Sequence, residues 1–268
     1  MNLIENKNKS NQYIAEIDGL RSIAIIAVIL NHLGSGFLQS GFLGVDIFFV
    51  ISGYVITKSV LKSQFISFSE FIKSFFEKRF KRLFPALFVY VILISFVLCL
   101  FNPFPNVSIR TGFFSLLGLS NFYLFKYSTD YFAQASYLNP FLNTWSLSLE
   151  EQFYLIFPVI ILLSGFFKNH TKKISFLVKI VTVFSSISIV LFLKYYYVYS
   201  SFSYFLIPTR FWEIGIGVLI YIFHNNLEDK LTKKFVKNLN FTQIFGTIIL
   251  LLIFLSTNEL SHIKTLFV

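Results

Sequence analysis

Long apolar runs recur along this sequence and restrict what it can fold into. A bilayer core about 30 Å thick requires about 20 apolar residues in helical conformation. Only 13% of the residues are charged, against about 25% in soluble domains. The sequence therefore predicts an all-α fold, a polytopic transmembrane helical bundle with about seven or eight membrane helices. The apolar runs lie at about 13–33, 41–58, 83–101, 146–167, 174–193, 204–223 and 241–258.

The predicted domain organisation has two parts. Residues 1–12 are polar and form an N-terminal tail, and residues 13–268 form one membrane domain. The first run lacks the small-residue cleavage pattern of a signal peptide, so we expect it to be retained as a span. Residues 58–82 combine a 3–4 apolar spacing with a basic opposite face, which predicts an amphipathic helix on the membrane surface. Pro85 is expected in the first turn of the next span.

The distribution of basic residues predicts the orientation. With a cytoplasmic N-terminus, most Lys and Arg residues fall in inside segments, as the positive-inside rule requires. A full crossing by the short apolar stretch 111–125 would move every later loop to the other side of the membrane. We therefore expect residues 111–144 to form a re-entrant or interfacial segment on the outer side. The outside segments then hold few basic residues, among them Arg110, Lys126, Lys194 and Arg210.

Three ionisable residues lie in or beside the first two apolar runs: Arg21, His32 and Asp46. Ionisable side chains inside a membrane segment are rare and usually serve a function. Arg21 and His32 are separated by three helical turns plus about 20°, so they share one helix face. Asp46 and His32 flank the predicted turn, where a carboxylate could fix the tautomer of an imidazole acting as a base. A helix–helix hydrogen bond is the alternative role for Asp46.

A basic cluster formed by Arg79, Lys81 and Arg82 precedes the third run. Guanidinium groups match phosphate oxygens in geometry, so the cluster is a candidate site for the phosphates of a nucleotide-type cofactor. Positive-inside anchoring, or binding of anionic lipid, explains the same charges equally well.

The segment NTWSLSLEEQFY, residues 143–154, places Trp145, Glu150 and Glu151 at the mouth of a span. Two carboxylates entering a membrane helix indicate a site. A helix cap, an interfacial tryptophan and acids near a helix N-terminus are the structural alternative.

The segment PTRFWEIGIG, residues 208–217, carries a second polar pattern. Arg210 and Glu213 have the i,i+3 spacing of a helical ion pair. Gly215 and Gly217 would permit close approach of another helix.

Several functional classes lack their signatures in this sequence. It has no Walker A loop, no GxSxG elbow, no HExxH pair and no dinucleotide-binding fingerprint. A single cysteine, Cys99, excludes an internal disulfide. Of four histidines, only His32 lies at a suitable membrane position, so no metal is expected. The net charge of +10 is dispersed over short loops, so nucleic acid is not an expected partner.

Five phrases in this order resemble the membrane acyltransferase-3 family, the envelope polysaccharide, lipopolysaccharide and peptidoglycan O-acylases. The phrases are DGLR with His32 after ten intervening residues, GFLGVDIFFVISGYVIT, KRFKRLFPAL, LNPFLNTWSLSLEEQFYLIFP and PTRFWEIGIG. The wording is most similar to the branch often fused to an extracytoplasmic SGNH-hydrolase-like domain.

The resemblance implies a reaction and a set of site residues. Family members move an acyl group, usually acetyl, from cytoplasmic acetyl-CoA to a sugar hydroxyl of an envelope glycan, across the bacterial inner membrane. His32 would be the base, and the arginines would meet the acyl donor. The residues assigned to catalysis are His32, Asp46 and Glu150. Those assigned to acyl-donor and substrate binding are Arg21, Arg79, Arg82, Trp145, Arg210 and Glu213.

The length of the chain departs from the family pattern. Family membrane domains have about ten spans, so the resemblance implies a C-terminally truncated domain: a fragment, the product of a truncated gene, or a protein completed by a partner that supplies the missing helices or an SGNH-like domain. An inactive remnant is one alternative. A non-enzymatic membrane protein such as a proton-relaying transporter is another, although the chain shows no internal repeat of the kind common in transporters.

Overall fold

The structure, a computed structural model, describes residues 15–33, 38, 40–63, 67–127, 138–165 and 170–231. Within this part of the chain the regular secondary structure consists of α-helices and 3₁₀ turns, and no β-strand occurs. The predicted all-α class is therefore confirmed. In chain order the helices are α1 (Ala15–His32), α2 (Gly44–Lys62), α3 (Phe68–Phe101), α4 (Asn106–Leu116), α5 (Ser120–Tyr127), α6 (Thr144–Leu163), α7 (His170–Tyr195), α8 (Ser200–Phe205) and α9 (Ile207–Leu231).

Five helical segments of the described chain are long and apolar enough to cross a membrane. The chain is thus a membrane protein of several apolar helices, although the predicted count of seven or eight is not confirmed. Helix α1 is absent from this group, and the predicted span 241–258 and the tail 1–12 lie outside the described residues. The five segments are Gly41–Lys62, Phe68–Phe101, Thr144–Leu163, Ile174–Tyr195 and Ser200–His224.

Helix α3 differs from the sequence prediction. A separate surface helix and a span opened by Pro85 were expected, but residues Phe68–Phe101 form one helix with Pro85 in its interior. Ser67 caps its N-terminus by accepting a hydrogen bond from the Glu70 amide. Thirty-four residues correspond to about 51 Å of helix, which exceeds the ~30 Å bilayer core. The amphipathic part therefore continues the span without a break.

Two short helices follow where a re-entrant segment was predicted. Helices α4 and α5 contain 11 and 8 residues, or about 17 and 12 Å, and neither is long enough to cross the membrane. The break between them contains Gly118 at φ 67°, a left-handed conformation that glycine adopts without a Cβ clash. This geometry supports a re-entrant pair.

The described chain divides into two compact units, and the division falls inside α9. Unit 1 contains α1, α2 and the part of α9 from Glu213 onward. Its first two helices pack closely because Gly41 and Gly44 face the backbone of α1; a Cβ atom on either would overlap a carbonyl oxygen, that of Ala27 or Ala24.

A second close crossing in unit 1 joins α2 to α9. A Cβ atom on Gly53 would overlap the carbonyl oxygen of Ile214, and one on Gly217 would overlap that of Val50. Small residues let membrane helices approach to backbone contact. The predicted role of Gly217 is confirmed, and Gly53 is its unpredicted counterpart.

Unit 2 comprises residues Phe65–Trp212. Within it, buried polar side chains link α5 to α6. The Ser148 hydroxyl lies 2.8 Å from that of Ser120, and the Thr144 hydroxyl donates to Ser120 at 3.0 Å. The Gln152 amide donates to Asn121 Oδ1 at 2.7 Å. Interhelical hydrogen bonds of this kind hold helices together where lipid offers no partner.

Candidate functional site

Helix α1 carries two of the predicted site residues, Arg21 and His32, and the described chain places both on one continuous helix. Arg21 donates from Nη1 to Asp18 Oδ1 at 3.1 Å, one turn back on the same helix. Both side chains remain partly exposed, and an exposed pair of this type contributes little stability. Arg21 is therefore available to exchange Asp18 for another anion.

The His32 imidazole is held by the backbone of its own helix. Its Nδ1 lies 2.8 Å from the carbonyl oxygen of Val28. A carbonyl oxygen only accepts hydrogen bonds, so the neutral ring that keeps this contact carries its hydrogen on Nδ1 and its lone pair on Nε2. Because a base needs that lone pair, this tautomer is the one suited to taking a proton through Nε2.

Asp46 lies in the first turn of α2 and is 3% exposed. The amide groups and dipole of a helix N-terminus stabilise a carboxylate there. The contact with the Val28 carbonyl favours the tautomer of His32 with its hydrogen on Nδ1, and the predicted part of Asp46 in fixing that tautomer stays a prediction. The approach of Asp46 to His32 stays a prediction as well.

Arg79 on α3 sits beside two aromatic rings in unit 2. Its guanidinium carbon lies 3.5 Å from the centroid of the Phe75 ring and 5.1 Å from that of Tyr154 on α6. Its Nη1 donates to the Phe75 carbonyl oxygen at 2.9 Å, while its Nε is buried without an acceptor in the described part of the chain. The Tyr154 hydroxyl in turn donates to Glu150 Oε2 at 3.0 Å. The structure thus links two predicted site residues, Arg79 and Glu150, through a tyrosine.

An open cavity of about 350 Å³ lies against this cluster. Arg79, Tyr154, Glu151 and Gln152 contribute its polar groups, and Phe and Leu side chains of α3 and of the α4–α5 turn form most of the remaining wall. Arg82 is exposed and does not line this cavity. A cation beside apolar walls suits a ligand in which an anionic group is joined to an uncharged arm.

Trp145 and Arg210 form a second cluster within unit 2. Arg210 is 2% exposed. Its guanidinium carbon lies 4.8 Å from the ring centroid of Tyr204, 5.6 Å from that of Phe192 and 5.9 Å from that of Trp145. Aromatic faces stabilise a desolvated cation.

The remaining predicted site residue, Glu213, is 1% exposed and lies on α9 in unit 1. Its ion pair with Arg210 stays a prediction. Across the described residues, no group of three His, Cys, Asp or Glu side chains is arranged to hold a metal ion.

Sequence reasoning missed the parts played by Tyr154 and Gln152. Tyrosine and phenylalanine are so abundant, at 14 and 37 residues, that one more aromatic position carried no signal. The i,i+4 spacing of Glu150 and Tyr154 could have indicated their contact, since such side chains meet on a helix surface.

Comparison with known proteins identifies the family of the chain. Residues 14–267 match the protein family described as an acyltransferase domain. The chain is 34% identical over 254 residues to an O-acetyltransferase OatA of Staphylococcus aureus, covering 92% of this chain and 41% of that protein. It is 39% identical over 173 residues to the peptidoglycan O-acetyltransferase OatA of Listeria monocytogenes, covering 64% of this chain and 27% of that protein. The chain therefore spans well under half of each relative. No solved structure matches it significantly.

Proposed function

The chain belongs to the acyltransferase-3 family, and from that premise we propose that it is a membrane O-acyltransferase that moves an acetyl group from acetyl-CoA to a sugar hydroxyl. The observation that carries the proposal is the His32 ring, which sits at the end of α1 with Nδ1 held by the Val28 carbonyl. The family match covers the whole of this helix.

In the proposed reaction, His32 is the general base. Its Nε2 takes the proton of the acceptor hydroxyl, and the hydroxyl oxygen attacks the carbonyl carbon of the thioester. The carbon–sulfur bond breaks, and the thiolate leaves and takes up a proton. The Val28 contact keeps a hydrogen on Nδ1 throughout, so Nε2 is the only ring nitrogen that exchanges one.

Arg79, Arg82 and Arg21 are proposed to meet the anionic groups of the donor. Arginine offers several donors in a planar fork that matches phosphate oxygens. Arg79 supports this assignment best, because it lines a cavity with apolar walls that would accommodate the uncharged arm between phosphates and thioester.

The other proposed assignments follow the family. Asp46 supports the chemical step, Glu150 acts through the Tyr154 hydroxyl that donates to it, and Trp145, Arg210 and Glu213 form part of the substrate site. The acceptor is proposed to be a cell-wall glycan, because a relative is named as a peptidoglycan O-acetyltransferase. The positive-inside distribution supports a bacterial inner-membrane location with the N-terminus in the cytoplasm.

The experiment that tests this function measures ester-linked acetate in envelope glycan. The chain is expressed in a bacterial host that lacks its own O-acetyltransferases, and acetate is released from purified glycan by mild base. We expect acetate above the empty-vector level with the native chain and no such increase with His32→Ala. His224→Ala, which removes another helical histidine, is the matched control and should retain the acetate. Equal acetate from His32→Ala and the native chain would contradict the proposal.

A further inference from the structure

The two adjacent glutamates of α6 point to different environments. Glu151 lines the cavity that also contains Arg79, whereas Glu150 is absent from its wall. Consecutive residues of a helix are rotated by about 100°, so one carboxylate facing the cavity turns the other away. We therefore expect Glu150 to act on this cavity through a side chain that lines it.

Tyr154 is that intermediate side chain. Its hydroxyl donates to Glu150 Oε2 at 3.0 Å, and its ring lies 5.1 Å from the Arg79 guanidinium carbon. The same ring meets Phe75 edge-on, at 6.4 Å between centroids. Arg79 is thus held beside Phe75, its own helix partner, and Tyr154, which comes from α6.

We propose that Glu150 and Tyr154 are positioning residues for acyl-donor binding: Glu150 fixes the Tyr154 hydroxyl, and the Tyr154 ring holds the Arg79 guanidinium at the cavity wall. This inference rests on the proposed function and deepens it, because it gives Glu150 a role in donor affinity in place of one in the chemical step. Arg79 is the group that touches the donor.

The physical reason is the conformational freedom of arginine. A free arginine side chain loses rotamer entropy when a ligand orders it. A guanidinium already held by aromatic rings has lost most of this freedom before the ligand arrives. Its buried Nε and the apolar wall also strengthen its attraction for an anion, because water screens the charge less.

The test measures binding and turnover separately in lipid nanodiscs. Labelled acetyl-CoA is bound to protein carrying His32→Ala, so that the acetyl group is not consumed, and KM and kcat are measured with native His32. We expect Tyr154→Phe and Glu150→Ala each to weaken donor binding and raise KM by about tenfold, as expected when a hydrogen bond to a charged group is lost. Their kcat at saturating donor should change less than twofold, as expected for positioning residues.

Three further variants make the test specific. Glu150→Gln keeps an acceptor oxygen for the Tyr154 hydroxyl and should restore most of the affinity. The double variant Glu150→Ala with Tyr154→Phe should bind no more weakly than either single one, because both remove the same contact. Tyr90 also lies on α3, and its hydroxyl donates to the Pro140 carbonyl. Tyr90→Phe removes that hydroxyl and should leave donor affinity unchanged.

The adjacent carboxylate provides a control of opposite sign. Glu151→Gln removes an ionisable carboxyl group from the cavity that would receive an anion, so donor affinity should increase. Unchanged donor affinity in Tyr154→Phe and Glu150→Ala, or additive losses in the double variant, would overturn the positioning role. Failure of the proposed function has a different pattern: native-level transfer by His32→Ala, or no donor binding by any variant, the latter overturning both proposals.

Discussion

At the scale of single residues, backbone carbonyl groups and aromatic rings hold the side chains proposed for chemistry. The Val28 carbonyl accepts from His32 Nδ1, and the Phe75 carbonyl accepts from Arg79. Both partners lie one helical turn before the residue they hold, so each interaction forms as soon as its helix forms. The orientation of the proposed base therefore begins with a contact inside its own helix.

The cluster of aromatic rings that surrounds Arg210, called its cage below, leads to a prediction about Trp145. This indole is 1% exposed, and its ring packs 4.5 Å from that of Tyr204. Trp145→Ala should lower the free energy of unfolding by about 3–5 kcal/mol, as large-to-small core substitutions do. Trp145→Phe should lose less than half of that. Thermal unfolding in detergent measures both, and equal stability of the Ala and native proteins would contradict the cage.

Residue identities showed where charged groups occur but not what holds them. Arg21, His32 and Asp46 stood out because ionisable groups are rare in apolar runs. Asn121 and Gln152, which bind each other between α5 and α6, did not stand out, because neutral polar residues occur at the ends of many spans. Contacts between helices distant in sequence depend on packing that periodicity does not encode.

At the scale of helices, close helix crossings replace the hydrophobic effect that holds the core of a soluble protein together. Lipid tails are as apolar as leucine, so packing contact and hydrogen bonds must hold the helices. In unit 1 the α2–α9 crossing depends on Gly53 and Gly217, each facing the other helix's backbone. Of this pair the sequence predicted Gly217 alone, because Gly215 and Gly217 form a recognisable small-residue pattern on α9 and Gly53 stands without one on α2.

The crossing leads to a prediction at this scale. Gly217→Leu places a side chain against the Val50 carbonyl and should destabilise the fold by about 1–3 kcal/mol, the usual range for overpacking. Gly19→Ala on α1 is the matched control, since a Cβ atom there meets nothing within 4 Å. Its stability should equal or slightly exceed that of the native chain. Thermal unfolding curves compare the two, and an equal midpoint for Gly217→Leu and the native chain would contradict the crossing.

Element lengths were predicted less well than element types. The all-α class and most spans follow from hydropathy, whereas α3 continues through Pro85, the expected start of a span. A proline inside a helix removes one amide donor, and neighbouring structure in a membrane can compensate for the loss. Local sequence alone does not show that compensation.

At the scale of the whole molecule, the proposed transfer requires a donor side and an acceptor side. The positive-inside rule assigns the segment that contains Lys78 to the cytoplasm and the segment that contains Lys126 to the outside. Both lysines are exposed in the structure, so a cysteine at either position should react with a maleimide.

This orientation is testable by labelling. In a Cys99→Ser background, which removes the one native thiol, Lys126→Cys should react with a membrane-impermeant maleimide added to intact cells. Lys78→Cys should react only after the membrane is opened. Labelling of Lys78→Cys in intact cells, with Lys126→Cys protected, would reverse the proposed topology.

The central claim is that His32 performs the proton transfer of an acetyl-transfer reaction. The most direct measurement is the initial rate of label transfer from acetyl-CoA to cell-wall glycan by the full chain in lipid vesicles, with donor binding measured on the same samples. The account predicts that His32→Ala binds the donor like the native protein but transfers at least about a hundredfold more slowly, as loss of a general base implies. His224→Ala should transfer at the native rate. Transfer by His32→Ala at the native rate would contradict the account.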